Sequence, residues 1–281
     1  MDQKKINIIE TSIKLFAKKG FSSTSVQEIA KACNISKGAF YLQFQSKDEL
    51  LYELFEYYWR RMQKRINEVS SEPMTPKEKF VYQLKVSIEE VAEHREFIIM
   101  QVREQAIPFN DTIENLIKRM RYHSYIFYKN HLLSIYGKEA EPYVWEASIT
   151  VQSLFKNYMD LVIMDNIEFN YYEVAQSIVN KMDSLMNGYK NKVDHPVINK
   201  EIIEKIIPDD HNLNQFEDIL YQLDEIKQKT TDEDLKDTVE VLLLELNSTS
   251  PRHAVIKGMA YNLEKYEKYI DLASKLRAHF I

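Results

Sequence analysis

The residues whose types most clearly suggest chemistry lie together in one short stretch, residues 36–47, SKGAFYLQFQSK. Ser36 is a residue type that begins helices, and Lys37 then lies at the amino end of such a helix beside the small residues Gly38 and Ala39. In a helix that enters the DNA major groove, the amino-terminal residues face the base edges. Lys37 is therefore expected to donate to guanine or to phosphate, and Ala39 to touch a thymine methyl group.

Further polar groups of the same region are of the types that contact phosphate. Tyr41 and Gln43 would donate to phosphate oxygens, as would Thr24 and Ser25 at the start of the preceding helix. Lys47 lies in the first turn of the following helix, where a cation opposes the helix dipole, and this local cost indicates an outside anion such as a phosphate. The candidate DNA-contacting residues are Thr24, Ser25, Ser36, Lys37, Gly38, Ala39, Tyr41, Gln43 and Lys47.

Three predicted helices would position these side chains. Apolar residues at helical spacing predict a first helix that ends at Gly20. A second helix begins after Thr24 or Ser25, either of which can act as its N-cap. Asn34 can adopt the left-handed conformation in the following turn, and Ser36 caps a third helix. Two short helices joined by such a turn constitute a helix-turn-helix.

The rest of the chain is also predicted to be helical, because 5 glycines and 7 prolines among 281 residues offer few tight turns for a β-rich fold. A long connecting helix begins at Ser46, which has Glu49 three residues later as a capping partner, and ends near Ser70. The residues after Gly188, YKNKVDHPV, are typical of a linker. Further helices are expected over about 76–94, 96–106, 111–136, 140–165, 170–187, 197–207, 213–229, 232–247 and 252–280.

The distribution of charge points to the amino-terminal segment. The net charge is −6, but residues 1–70 carry 12 basic against 8 acidic side chains. Residues 71–190 carry 13 against 17, and residues 191–281 carry 12 against 18. Only the first segment has the sign that attracts phosphates.

Composition excludes several other classes of protein. The glycines never lie closer than 18 positions apart, so no glycine-rich nucleotide-binding loop is present in the sequence. Cys33 is the single cysteine and the 7 histidines are scattered without an HExxH motif, so we expect no disulfide, metal or cofactor. Adjacent acids lack the Glu-x-x-His spacing of di-iron bundles, which argues against an enzyme. The sequence has neither a signal-peptide core nor a membrane-spanning run, and we expect a cytoplasmic protein.

Residues 9–51, IETSIKLFAKKGFSSTSVQEIAKACNISKGAFYLQFQSKDELL, resemble the DNA-binding domain of the TetR family of bacterial transcriptional regulators. The match is contiguous and includes Phe16, Ala17, Gly20, Phe21, Thr24, Ser25, Ile29, Ala30, Ile35, Ser36, Gly38, Tyr41, Phe44, Lys47 and Leu50. The sequence departs from the family pattern at Asn34, where glycine is usual, and at Gln43, where histidine is common. Because asparagine tolerates the left-handed conformation, we expect the turn to keep its shape. Gln43 is expected to alter a phosphate contact or a base preference.

The resemblance implies a helix-turn-helix domain at 1–48 and a helical effector-binding and dimerisation domain at 49–190. Residues 191–281 extend beyond the resemblance and are expected to form an extra helical unit of unknown role. The resemblance also implies an effector pocket in the middle domain. Residues 51–190 hold 22 of the 33 aromatic residues. Core packing explains most of them, and several tyrosines would line a cavity or an interface instead. The candidate pocket residues are Phe97, Met100, Tyr122, Tyr125, Trp145, Phe155, Tyr158 and Met159. The acids Glu104 or Glu146 would favour a cationic lipophile and the bases Arg103 or Arg121 an acidic one, and the sequence leaves this choice open.

Dimerisation is implied through the last two helices of the part that resembles the family, about 140–165 and 170–187. The apolar side chains that would form a four-helix contact, or else close the core of one subunit, are Val151, Leu154, Leu161, Val162, Val174, Ile178, Met182 and Leu185.

The function implied is that of a dimeric repressor, which a lipophilic small molecule releases from a pseudo-palindromic operator in double-stranded DNA and which controls an efflux or stress gene. The alternatives are a transcriptional activator, and a DNA-binding regulator or a nucleoid or division factor without a small-molecule effector. Residues 191–281 carry no motif. They would pack against the middle domain, widen the dimer interface, cover the pocket entrance or bind another protein.

Overall fold

The computed structural model of the chain describes residues 2–70, 72–104, 111–205, 219–220, 222–223, 226–227, 230–246 and 252–280. Within these residues every regular element is a helix, which confirms the prediction of an all-α fold. The chain divides into two compact units, Met1–Ile207 and Pro208–Ile281. The predicted helix over 213–229 and the last residues of those over 96–106 and 197–207 lie largely outside the described residues.

Unit 1 begins with the predicted helix-turn-helix arrangement and continues as a bundle of longer helices. Its helices are α1 (Gln3–Lys19), α2 (Val26–Ala32), α3 (Lys37–Tyr41), α4 (Lys47–Ser70), α5 (Pro76–Glu93), α6 (Arg95–Glu104), α7 (Asp111–Tyr136), α8 (Val144–Ile163), α9 (Tyr171–Lys190) and α10 (Lys200–Glu204). A 3-10 turn at Lys138–Ala140 precedes α8.

Local capping chemistry fixes where the predicted helices begin and end. Ser25 and Ser36 are the N-caps of α2 and α3, and Thr75 forms a reciprocal capping box with Glu78 ahead of α5. Helix α1 ends at Gly20, whose φ of 89° is accessible to glycine at little cost. These boundaries follow from the sequence because each depends on one or two residues.

Two hydrophobic cores hold unit 1 together. The head core is formed by side chains of α1, α2, α3 and α4 together with α6 and the start of α7. It includes Phe16, Ile29, Phe40, Phe44 and Leu50, each at most 1% exposed. The bundle core joins α5, α7, α8 and α9. Its members include Phe80, Leu84, Leu132, Val151 and Ile178. Burying one such side chain stabilises the fold by about 1.5–3 kcal/mol, so the head is a firm platform for its surface residues.

The segment after α9 is held against the bundle. The carboxylate Oε2 of Glu146 accepts hydrogen bonds from the backbone N–H groups of Val197 and Ile198, the latter at 2.9 Å. Ile203 in α10 is 1% exposed and belongs to the bundle core. Residues up to 205 therefore pack with unit 1.

Unit 2 has a core of its own. Its helices are α11 (Glu233–Leu246), α12 (His253–Leu263) and α13 (Ile270–Phe280), with a 3-10 turn at Glu267–Tyr269. The predicted single helix over 252–280 is wrong, because Tyr266 is extended (φ −107°, ψ 105°) and its hydroxyl donates to Asp232 at 2.9 Å. The break lets α13 fold back and bury Leu272 and Leu276 beside Leu263.

Candidate DNA-binding surface

The turn between α2 and α3 has the geometry of a helix-turn-helix. Asn34 has a φ of 56°, in the left-handed region that the sequence predicted. The Ile35 N–H donates to the Ala30 carbonyl at 3.0 Å, which draws the chain back across the end of α2. Ser36 then caps α3 by accepting from the Ala39 N–H at 3.0 Å. The two short helices are thus fixed relative to each other by backbone contacts.

The outer face of α3 carries the side chains predicted to read DNA. Lys37, Gly38 and Tyr41 are exposed, and the Lys37 Nζ lies 5.9 Å from the centroid of the Tyr41 ring. Ala39 is half-buried. Leu42 is 85% exposed, which sequence reasoning missed because an apolar residue after a short helix is ordinarily assigned to the core. An exposed leucine beside a lysine and a tyrosine suits contact with deoxyribose or a thymine methyl group.

Gly38 has no structural reason to be glycine. It does not have a positive φ, and a Cβ built on it would meet only the Ser36 Oγ at 3.8 Å, an ordinary contact. Glycine within a helix costs about 0.5–1 kcal/mol relative to alanine. The conformation and packing of α3 therefore do not require glycine at this exposed position.

The start of α2 is organised by a complete capping box. The Ser25 Oγ accepts from the Glu28 N–H at 3.2 Å, while Glu28 Oε2 accepts from the Ser25 N–H and hydroxyl, each at 2.9 Å. Lys19 donates to the other oxygen of Glu28 at 2.6 Å. These donors lower the pKa of Glu28 to about 2, the Lys19 contact first. The carboxylate is thus held ionised, and the Ser25 hydroxyl already has a partner within the chain.

Thr24 and Lys47 are directed toward the protein's own carbonyls. Thr24 is fully buried, and its hydroxyl donates to the Gly20 carbonyl at 2.8 Å. The Lys47 Nζ donates to the carbonyls of Phe21 at 2.8 Å and Thr24 at 3.0 Å, with that of Ser22 at 3.4 Å. These carbonyls give the cation in the first turn of α4 acceptors within the chain. Gln43, the other predicted phosphate contact, is half-buried.

The candidate pocket residues do not gather around one site. Phe97 and Met100 belong to the head core, where the Phe97 ring centroid lies 5.2 Å from that of Phe55 and 4.7 Å from that of Tyr58. They connect α6 to the connecting helix α4. Tyr122 is half-buried in α7.

The other candidates lie in the bundle core. Tyr125, Trp145 and Met159 are buried there, and Phe155 and Tyr158 pack against it. These five therefore share the bundle core, whereas Phe97 and Met100 belong to the head core beside α4.

The charged residues considered for the pocket have other surroundings. Glu146 is bound to the backbone of residues 197 and 198, and Arg121 is exposed. The side chains of Arg103 and Glu104 lie outside the described part of the structure. A half-buried polar group that lies among the aromatic residues is His131, whose ring stacks 4.5 Å from that of Phe80. Burial lowers the pKa of His131 to about 3, and the imidazole is neutral at pH 7.

Half of the predicted dimer residues close the core of one subunit. Val151, Val174, Ile178 and Met182 are at most 5% exposed and belong to the bundle core. Leu154, Val162 and Leu185 are partly buried against that core, and Leu161 is 36% exposed. Large exposed apolar side chains occur around the connection from α8 to α9, namely Leu161, Met164, Ile167 and Tyr172.

One grouping resembles a metal site in composition. Within the described ranges, ligand atoms of Glu90, Glu93 and His94 lie within 4.8 Å of one another. Both carboxylate oxygens of Glu90, however, accept from arginines of α4: Arg61 at 2.6 Å and Arg65 at 3.2 Å. The arrangement is an ion-pair network that joins α4 to α5 and leaves no open carboxylate oxygen on Glu90 for a cation. No helix in the described part of the chain is long and apolar enough to cross a membrane.

The fold and this surface define a helix-turn-helix DNA-binding protein, because a capped short helix presents exposed lysine, glycine and tyrosine from a rigid three-helix head. Residues 8–54 match the family model described as bacterial regulatory proteins, tetR family. Over 283 residues the chain is 35% identical to YuxN, an uncharacterised HTH-type transcriptional regulator of Bacillus subtilis (strain 168), with 99% of this chain and 97% of that protein covered. The chain belongs to the TetR family of transcriptional regulators. This confirms the predictions of a DNA-binding regulator and of a protein that is not an enzyme.

Solved structures share the fold of a little under two thirds of the chain. A putative fatty acid metabolism regulator from Clostridium perfringens superimposes with a TM-score of 0.53 at 21% identity, covering 63% of this chain and 96% of that one. AibR, solved with isovaleryl coenzyme A and operator DNA, has a TM-score of 0.50 at 19% identity and covers 64% and 97%. These proteins are shorter than this chain, whereas YuxN matches it over nearly its whole length.

Proposed function

We propose that the chain is a dimeric, ligand-responsive repressor in the cytoplasm, which a lipophilic small molecule releases from a pseudo-palindromic operator. The observation that carries the proposal is the exposed face of α3 with its unexplained Gly38. Residues 1–48 would bind DNA, and residues 49–190 would bind the effector and form the dimer. Residues 191–281 would form an extra carboxyl-terminal helical region of unknown role. The regulated gene would encode an efflux or stress function.

Contact with the operator would depend mainly on α3. Lys37 would donate to guanine or phosphate, Gly38 would let the backbone approach, and Ala39 and Leu42 would touch apolar base or sugar atoms. Tyr41 and Gln43 would contact phosphates together with the cap residues Ser25 and Ser36.

The dimer would form through the exposed apolar side chains between α8 and α9. Leu161, Met164, Ile167 and Tyr172 are between 36% and 44% exposed, which is unusual for four large apolar residues within twelve positions. One helix-turn-helix head covers only a half-site, and a two-fold dimer would place two heads on successive major grooves. Leu161→Glu should yield a monomer in sedimentation experiments and weaken binding to the full operator.

The effector would act inside the bundle core and reach the head through α6. A change at Trp145, Phe155 or Met159 would move helices that pack with α6, and Phe97 in α6 contacts α4 directly. Changing a regulator from mostly bound to mostly released requires a ligand preference of about 10⁴-fold, or about 5.5 kcal/mol. A buried lipophilic ligand can supply this. Because AibR was solved with isovaleryl coenzyme A, short and medium acyl-CoA esters are suitable first probes together with lipophilic cations.

The core test is binding to DNA upstream of the protein's own gene, measured by fluorescence anisotropy. Lys37→Ala and Tyr41→Ala should each weaken sequence-selective binding at least about tenfold, since each removes a contact of about 1–3 kcal/mol. The matched control is Lys257→Ala, an exposed lysine of α12 in unit 2, which should bind as the wild type does. Unchanged selective affinity in both head variants would refute the proposal. Many genomic sites and no compound that shifts affinity would instead favour a nucleoid or division factor.

A further inference from the structure

The guanidinium of Arg119, in the first half of α7, lies against the long helix α4. Its Nη2 donates to the Glu56 carboxylate at 2.7 Å, and its Cζ lies 5.5 Å from the centroid of the Trp59 ring. The ring of His123, one turn further along α7, lies 4.9 Å from the same indole. The Arg119 side chain is 27% exposed, so the guanidinium lies at the edge of this packing and can be approached from outside.

One donor of this guanidinium is not used. Within the described part of the chain, the Arg119 Nε is buried and has no hydrogen-bond partner. A buried donor without a partner costs free energy, and a charged one costs more than a neutral one. Such a donor therefore favours the binding of an acceptor beside it. The strongest acceptors for a guanidinium are anions such as a carboxylate or a phosphate.

The local balance of charge also favours an anion. Glu56 is 4% exposed, and its two oxygens accept from Arg119 and from Arg60, the latter at 3.0 Å. Two cations thus share one buried carboxylate, which leaves this group of three side chains with one positive charge in excess. A ligand anion would balance that charge, whereas a ligand cation would find both oxygens of Glu56 already paired.

The two tryptophans of the chain each have a cation of α7 over the ring. Arg119 lies over Trp59, and the Nζ of Lys129 lies 4.9 Å from the centroid of the Trp145 ring. These contacts already use the attraction with which an aromatic ring would hold a ligand cation. Glu146, the acid next to Trp145, accepts from backbone N–H groups of the segment after α9. The aromatic part of unit 1 is thus better suited to an anionic ligand than to a cationic one.

We infer that the effector is an organic acid with an apolar body, whose anionic group binds the Arg119 guanidinium beside Trp59. The inference rests on the proposed function, because it names the chemical class of the effector that this function requires. The apolar body would lie along α7 toward Ile126, which follows Arg119 and His123 on the same side of the helix and packs against the bundle core. Of the two ligand classes that the sequence leaves open, these contacts select the acidic lipophile.

Isothermal titration calorimetry on the 281-residue chain without DNA tests the ligand class. Decanoate, decanol and decylamine have the same alkyl chain and differ in the charge of the head group. Wild-type protein should bind decanoate at least about tenfold more tightly than decanol, because only the acid supplies a charged partner for the Arg119 Nε. Decylamine should bind more weakly than decanol. Decyl phosphate separates the two sources of an anion, since tighter binding than decanoate would assign the head group as a phosphate.

A pair of matched variants tests the position of the anionic group. Arg119→Gln removes the positive charge, while Arg60 remains as a partner for the Glu56 carboxylate. We expect this variant to bind decanoate at least about tenfold more weakly than the wild type and to bind decanol equally well. The control is Arg121→Gln, because Arg121 is exposed and lies on the opposite side of α7; it should change neither affinity. Circular dichroism establishes that each variant is folded at the assay temperature.

The results that would overturn the inference differ from those that would overturn the proposed function. Equal wild-type affinity for decanoate and decanol, tighter binding of decylamine, or no binding of any probe would overturn the acidic effector. Unchanged decanoate affinity in Arg119→Gln, or an equal loss for decanoate and decanol, would overturn the role of Arg119. Decanoate binding that depends on Arg119 but does not alter the affinity for upstream DNA would support the site and overturn the proposed release from the operator.

Discussion

Replacing Gly38 by alanine separates what α3 needs to fold from what it needs to bind DNA. The added methyl group would meet only the Ser36 Oγ at 3.8 Å, and the backbone is not in the left-handed region, so the substitution introduces no strain. Alanine is the better helix former. Because Gly38 lies in the first turn of a five-residue helix, we expect the free energy of unfolding to rise by about 0.5 kcal/mol, the lower end of the usual range.

Operator binding should change in the opposite direction. If the DNA approaches the α3 backbone closely, the methyl group would push the helix outward and lengthen the contacts of Lys37 and Tyr41. We expect operator affinity to fall by at least about tenfold, which corresponds to about 1.4 kcal/mol. The variant would thus be slightly more stable and clearly less active.

Urea denaturation and fluorescence anisotropy with operator DNA measure the two quantities. Gly258→Ala is the matched control, since Gly258 lies within α12 and a Cβ there would meet nothing within 4 Å. It should add similar stability to unit 2 and leave operator binding unchanged. If Gly38→Ala binds the operator as tightly as the wild type, the explanation of this glycine by close approach is refuted.

Three further variants test the helical part of unit 1. The pKa of His131 is about 3 in the folded protein and about 6.5 when unfolded, so the unfolded state binds more protons between these values and the free energy of unfolding falls as pH falls. His131→Phe should therefore reduce the loss of stability seen in melting curves between pH 7 and pH 4. A pH profile equal to that of the wild type would contradict this role of His131. Glu90→Gln should lower the free energy of unfolding by about 2 kcal/mol, because two arginines lose a buried carboxylate, whereas Glu240→Gln on the surface of α11 should have little effect. Tyr136→Phe should cost about 1 kcal/mol in urea denaturation through loss of the 2.8 Å bond to Asp183, and a neutral result would show that this bond contributes nothing net.

Local signals in the sequence predict the turns and helix caps of the helix-turn-helix well. Asn34 and Ser36 each act over three or four residues, and the structure shows each in its predicted conformation. The end of α1 at Gly20 has the same origin. Such features are predictable because the residue type and its neighbours suffice to determine them.

Contacts between distant residues were not predictable in the same way. The partners of Lys47 lie more than twenty residues earlier, so the sequence around the start of α4 does not indicate that its ammonium group donates to the carbonyls of residues 21 and 24. Phe97 has the same residue type as Phe155 but belongs to another core, because α6 packs on α1 and α4. The break between helices at Tyr266 depends on the tertiary packing of α13, and no glycine or proline in the sequence at that point indicates it.

The contact between Glu146 and residues 197 and 198 determines where the chain can be shortened without damage. An expression fragment that stops near residue 190 would take away the two N–H groups bound by Glu146 and remove Ile203, leaving a cavity in the bundle that would cost about 2–5 kcal/mol. A fragment that stops after residue 205 keeps both. For crystallisation or for deletion genetics of the distal helices, the natural cut therefore lies some fifteen residues beyond the end of α9.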